Sequence, residues 1–315
     1  VYRAIHVSLE LPVAIKVLAL DAHSPEGAAH LIARFERESR TVASIRHRNV
    51  LCVHDAGRLP DGAPYLVMEL IDGEDLEQRL GRGPLGIAAV VDLGRQLFSA
   101  LTAIAGARVL HRDVKPANLM LHHEADGQVL LKLVDFGIAR SSGEAERLTM
   151  TGVIVGTPHY MAPEQLRGEE LDVRADLYSA CAALYEALTR RTPFDGESAP
   201  IVIGRILSAP LVPIRELRPD CPELLARLVQ RGLSREASAR PLHPLELVAA
   251  LDLIVRATGL PTGALAWAED AALTSAMPLH RVLERRRALW DPSPSGPPTR
   301  DSTPTAPGPR AGVDE

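Results

Sequence analysis

The feature that most constrains this chain is a run of charged and polar residues, His111-Arg112-Asp113-Val114-Lys115-Pro116-Ala117-Asn118, clamped between apolar elements. Ahead of it, Ile87 to Ala105 carries apolar residues at helical spacing. Behind it, Leu119-Met120-Leu121 reads as a short strand, and Asp126-Gly127 as a turn. A second strand, Val129 to Val134, then ends on Asp135-Phe136-Gly137. The loop and the acidic strand end are therefore tethered to core elements on both sides. A scaffold of this kind fixes polar groups at a strand mouth, where loops carry function.

Strand signals cluster early. Val13-Ala14-Ile15-Lys16-Val17-Leu18 is rich in β-branched residues and follows Pro12. Val50 to His54 and Tyr65 to Leu70 flank an Asp61-Gly62 turn and read as an antiparallel hairpin. Helical spacing dominates later, over Leu177–Thr189, Leu224–Leu233 and Leu245–Val255. A β-rich start and an α-rich remainder predict an α+β chain of two lobes.

One predicted helix, Gly27 to Ile45, carries an anomaly. Its apolar stripe, Leu31, Phe35, Val42 and Ile45, is completed by Glu38. A buried carboxylate costs several kcal/mol unless it is paired. Either the helix turns Glu38 to water, or a cation is aimed at it. Lys16, in the middle of an otherwise apolar strand, is the candidate cation.

Composition excludes several classes. With 35 basic and 40 acidic residues the net charge is -5, which gives no electrostatic case for a nucleic-acid partner. Three cysteines, Cys52, Cys181 and Cys221, neither form a disulfide framework nor show metal-ligand spacing, so a reducing, cytoplasmic setting is expected. No apolar run reads as a membrane span, so no transmembrane segment is expected. Asp291 to Glu315 holds seven prolines among Ser, Thr and Gly and reads as a disordered tail. His122-His123 reads as a solvated turn, and the arginines around Val282 and Leu289 as a charged helix facing water.

Taken in order, Val13-Ala14-Ile15-Lys16, Glu38, His111 to Asn118, Asp135-Phe136-Gly137 and Ala162-Pro163-Glu164 resemble the motifs of eukaryotic-type serine/threonine protein kinases, in particular the bacterial members. The resemblance covers residues 1 to 255 and implies a bilobal kinase fold, with a small β-rich lobe at 1–70, a larger α-rich lobe at 73–255, and an extension at 256–315. Asp176 and Arg240 match structural positions of the family.

By that resemblance, Lys16 holds the α- and β-phosphates of ATP with Glu38 directing it. Asp135 and Asn118 hold Mg²⁺ ions, Asp113 accepts the proton of the attacking hydroxyl, and Lys115 and Thr157 assist beside it. Val1, Ala14 and Met120 sandwich the adenine, and Glu69 to Ile71 form the hinge behind Met68. Thr149 and Thr151 match autophosphorylation positions whose phosphate Arg112 receives. The expected partners are protein substrates with Ser or Thr acceptors, together with a second copy of the chain during autophosphorylation.

Three departures stand out. The family's glycine-rich loop lies ahead of the valine matched by Val1, so the sequence reads as starting inside the domain. Cys181 and Arg190 stand where relatives often have glycine. Two rival readings remain at this point. One is a kinase-like scaffold without turnover, against which stand Lys16, Asp113, Asn118 and Asp135. The other is a small-molecule phosphotransferase, a class that lacks the Ala162-Pro163-Glu164 segment.

Overall fold

The computed structural model describes residues 1–18, 25–124, 128–136 and 158–268. Strands β1 (Tyr2–His6) and β2 (Leu11–Val17) form a hairpin, followed by helix α1 (Pro25–Ser44) and the hairpin β3 (Val53–Arg58) and β4 (Pro64–Glu69). These strands make one antiparallel sheet in the order β1-β2-β4-β3. Its register sets Lys16 opposite Leu66 and Ala14 opposite Met68. Val13 and Ala14, on opposite faces of β2, are both buried, while its first two residues stay exposed. Phe35, Val42 and Ile45 of the α1 stripe are buried, as their spacing predicts.

The second part begins with β5 (Gly73–Asp75), α2 (Leu76–Leu80) and α3 (Ile87–Gly106). Then come a 3-10 turn at Pro116–Asn118 and the strands β6 (Leu119–His123) and β7 (Val129–Leu133), which close an antiparallel sheet in the order β5-β6-β7. A 3-10 turn at Pro158–Tyr160 leads to α4 (Pro163–Arg167), α5 (Val173–Thr189), α6 (Ala199–Ser208), α7 (Ile214–Leu217), α8 (Glu223–Gly232) and α9 (Pro244–Thr258). His122 and His123 are thus part of a strand and not of the expected turn, and His122 Nδ1–H donates to Asp72 O at 2.6 Å.

The core of this part is α3 and α5, packed against one another and against α9 and α8. Helix α3 has the length and apolar content of a membrane span, contrary to the expectation that no such segment exists. Its apolar surface is spent on packing instead: Leu93, Leu97, Phe98 and Leu101 are all buried. Cys181 is buried against Gly232, where an added Cβ would meet its sulfur at 2.2 Å. Arg190 caps α5 at φ 57, a left-handed position that favours glycine, which explains why it stands out in the sequence.

The compact unit runs to Ala271. Folding continues past Val255: α9 extends to Thr258, and a 3-10 turn at Gly263–Trp267 returns to α3 with Trp267 only 3% exposed.

Candidate active site

The His111–Asn118 loop leaves α3 and is held from below by α5. Asp176, fully buried near the start of α5, accepts hydrogen bonds from the backbone N–H groups of His111 at 2.7 Å and Arg112 at 2.8 Å. Arg112 has φ 64, so the carboxylate holds the loop in a conformation a side-chain-bearing residue rarely adopts. Burial pushes the Asp176 carboxyl up to about 6, and the two N–H donors pull the other way. His111 is buried as well, and burial lowers its pKa to about 4, so the ring is neutral at pH 7. The neutral ring donates from Nε2 to Val134 O at 3.0 Å, and its ring centroid lies 4.9 Å from that of Phe136. One imidazole thereby ties the charged loop to the end of β7.

Above this support, Asp113 presents a carboxylate fixed from two sides. Asn118 Nδ2 donates to Asp113 O at 2.7 Å and to Asp113 Oδ2 at 3.0 Å, and Lys115 Nζ lies 3.0 Å from the same Oδ2. Because its amide nitrogen is spent twice, Asn118 keeps Oδ1 as an oxygen donor. Across the cleft, Lys16 Nζ donates to Asp135 Oδ1 at 2.7 Å. The sequence paired Lys16 with Glu38; in the structure its carboxylate partner is Asp135. The reason is position: Lys16 points across the cleft to the end of β7, while Glu38 faces a cavity of about 590 Å³ that Thr41, Val42, Arg112 and Phe136 also line. Asp135 has φ 56, which turns its side chain back toward the lysine.

Ala14, Leu51 and Met68 form a small apolar cluster against which Leu70, Ile71 and Val134 pack. Met120, on β6, is half-buried, and Val1 is 77% exposed and stands outside the cluster. Leu51 and Val134 were not singled out from sequence, although Val134 directly precedes Asp135. Glu69, at the head of the predicted hinge, uses its backbone N–H on Cys52 O and its carboxylate on Cys52 N at 2.7 Å and Lys132 Nζ at 2.7 Å. This Glu69–Lys132 pair joins the two sheets and had no signal in the sequence. Thr149, Thr151 and Thr157 lie outside the described residues.

The decisive comparison is with family models: residues 1–242 match the protein kinase domain. The chain belongs to the protein kinase family. Its curated relatives place it in the bacterial serine/threonine branch. It is 38% identical over 247 residues to the serine/threonine-protein kinase pkn3 of Myxococcus xanthus, covering 76% of this chain and 45% of that protein. It is 35% identical over 305 residues to PknL of Mycobacterium tuberculosis, covering 96% and 74%. With PrkC of Bacillus subtilis it shares 29% over 296 residues, covering 92% and 44%. The kinase domain here therefore spans less than half the length of two of these relatives.

Two further contacts brace this part of the fold, one an ion pair and one a hydrogen bond. Glu164, of the Ala162-Pro163-Glu164 motif, receives Arg240 in a two-pronged contact at 2.6 and 2.8 Å. Arg240 is 1% exposed and also stacks over Tyr178, with 4.9 Å to the ring centroid. Tyr160 donates to Glu186 on α5, which anchors the segment leading into that motif.

Proposed function

We propose that this kinase domain transfers the γ-phosphoryl group of ATP to serine and threonine hydroxyls of proteins, in the cytoplasm. One observation carries the reading: the Asp113 carboxylate is held between Lys115 and Asn118 on a loop whose backbone is pinned by Asp176. A carboxylate positioned in this way takes the proton of an attacking hydroxyl, and the flanking lysine offsets negative charge on the transferred group.

The roles divide by lobe. Lys16 binds the α- and β-phosphates, and Glu38 directs the lysine when α1 closes. Ala14 and Met120 cover the adenine, with Val1 on the same side, and Glu69 and Ile71 form the hinge edge. The donors present suit Mg²⁺: Asp135 offers a carboxylate and Asn118 the amide oxygen left over from its two N–H bonds, both hard oxygen ligands. Held by Asp135 and Asn118, such an ion would supply neutralisation of phosphate charge.

Arg112 suits a regulatory role. Its Nε is buried without a hydrogen-bond partner at the wall of the cavity below α1. A guanidinium N–H left free in this way is a ready donor to the phosphate of a phosphorylated threonine, and Thr149 and Thr151, phosphorylated by a second copy, are the proposed carriers of that group. Thr157 is assigned, by the family resemblance, the role of assisting Asp113 and Lys115. The test is incorporation of labelled phosphate into a generic protein substrate with ATP and Mg²⁺, against an Asp113→Asn control. Incorporation that Asp113→Asn abolishes supports transfer; equal incorporation by both proteins overturns it.

A further inference from the structure

β7 is the edge strand of its sheet, and two residues beyond its end stands Asp135. The outer edge of such a strand exposes N–H and C=O groups that need partners. Here two side chains, Gln96 and Asn49, and the backbone of residues 49–51 supply them. Gln96 of α3 accepts from Leu131 N at 2.9 Å and donates from Nε2 to Val129 O at 2.8 Å. Asn49, in the loop that follows α1, donates from Nδ2 to Leu131 O at 2.9 Å, and its backbone carbonyl accepts from Leu133 N at 2.9 Å. Leu51 N closes the edge by donating to Leu133 O at 3.0 Å. Asn49 and Gln96 are themselves joined, Nδ2 to Oε1, at 2.8 Å.

The line does not end at Gln96. Its Nε2 also donates to Asp92 Oδ2 at 2.9 Å, and the same oxygen accepts the indole Nε1–H of Trp267 at 2.9 Å. Gln96 must present its oxygen toward Leu131 and Asn49 and its nitrogen toward Val129 and Asp92; an amide rotated by half a turn would break all four bonds. Leu131 N–H, Val129 C=O and the Asp92 carboxylate all require that same orientation, and Asp92 holds it from the side away from the strand. Trp267 in turn holds Asp92 from a segment beyond the last helix of the kinase core. Arg95 is the other group facing this carboxylate, 4.0 Å from Oδ1, and it is drawn away by Asp252 at 2.6 Å.

We propose that Trp267 is a positioning residue for phosphoryl transfer. Through Asp92 and Gln96 it fixes the outer edge of β7, and so the place of Asp135 and of the Lys16 ammonium paired with it. The segment Gly263–Trp267 is on this account part of the catalytic apparatus and not a spacer after it. The inference rests on the kinase reading for its activity readout, while its structural readout stands apart from turnover.

The test uses the full chain with Trp267→Phe, which keeps the ring and removes the N–H, and Gln96→Met, which keeps the volume and removes the amide. Each is expected to slow single-turnover phosphoryl transfer about tenfold, because small misplacements of reacting groups are amplified in rate. The KM for a peptide substrate is expected to stay as in the wild type. The double variant is expected to match the slower single variant, since both interrupt one line. Hydrogen exchange at the Leu131 and Leu133 amides is expected to speed up, with the His111 and Arg112 amides on Asp176 unchanged. Wild-type rates and protection in Trp267→Phe overturn the proposal. So do single effects that multiply in the double variant, or protection lost evenly across the domain. If the wild type transfers no phosphate at all, the kinase reading fails, and the exchange pattern alone still decides whether Trp267 governs the edge of β7.

Discussion

The two walls of the cleft are built on different terms. The lower wall, the His111–Asn118 loop, is overdetermined: Asp176 holds two of its N–H groups, His111 ties it to Val134, and Asn118 and Lys115 converge on Asp113. At the cleft the upper wall meets Asp135 through Lys16, in an ion pair whose side chains are 36% and 42% exposed. Buried, multiply bonded groups have one arrangement, whereas a half-exposed ion pair is worth little and exchanges partners at low cost. The proton-accepting carboxylate thus sits on a rigid base, and the charge that meets ATP sits on an adjustable one. In a kinase, that is where switching between active and resting arrangements is inexpensive.

The largest effect is expected on the rigid side. Asp113→Asn keeps the shape and the bonds to Asn118 and Lys115 but removes the proton acceptor. Phosphoryl transfer should fall by about 10²–10⁴-fold, with thermal unfolding nearly unchanged. Steady-state transfer assays paired with thermal melts check this; a loss of less than tenfold would mean that Asp113 is not the acceptor.

A second break concerns the base on which the lower wall stands. Glu164→Ala leaves the buried Arg240 guanidinium without its carboxylate. Removing one partner of a buried pair costs about 3–5 kcal/mol, read from the urea midpoint at constant slope. On the adjustable side the pattern should invert. Lys16→Met should lower transfer about 10²-fold, while stability changes by less than about 1 kcal/mol. A Lys16→Met protein that loses stability as Glu164→Ala does would erase the contrast between the walls.

What the sequence made legible follows the same division. The lower wall could be read because charged residues clamped between apolar elements have few places to go, and His111 to Asn118 lie together as expected. Glu38 was legible as a misplaced charge, but its partner was not: periodicity says that a carboxylate faces inward, and only three-dimensional distance ranks Asp135 above it as the contact of Lys16. Arg190 was legible as an oddity, and its positive φ supplies the reason. Trp267 and the Glu69–Lys132 pair had no sequence signal. A lone tryptophan after a Gly- and Pro-containing stretch has no period, and a charge pair between two sheets has no spacing. The folded unit consequently runs past Val255, where the family resemblance ends.

The finest test of the lower wall is its response to pH, because its two buried titratable groups oppose one another. Burial lowers His111 from 6.5 to about 4, so the fold favours the neutral ring. That contribution is present above pH 6.5 and is lost as the pH falls toward 4. Burial raises Asp176 from 3.8 to about 6, so the fold favours the protonated acid. Its contribution is complete below pH 3.8 and is lost as the pH rises through 6. Between pH 6.5 and 5 each amounts to about 1–2 kcal/mol, with opposite sign, and in the wild type they nearly cancel. Asp176→Asn should therefore lose about 1–2 kcal/mol more than the wild type over that interval, and His111→Gln should lose less by a similar amount. Both variants are weaker at every pH, so the slope of urea-derived stability against pH is the quantity to compare. Three parallel slopes would mean that neither group titrates in the fold as its burial requires, and that the lower wall is held by its hydrogen bonds alone.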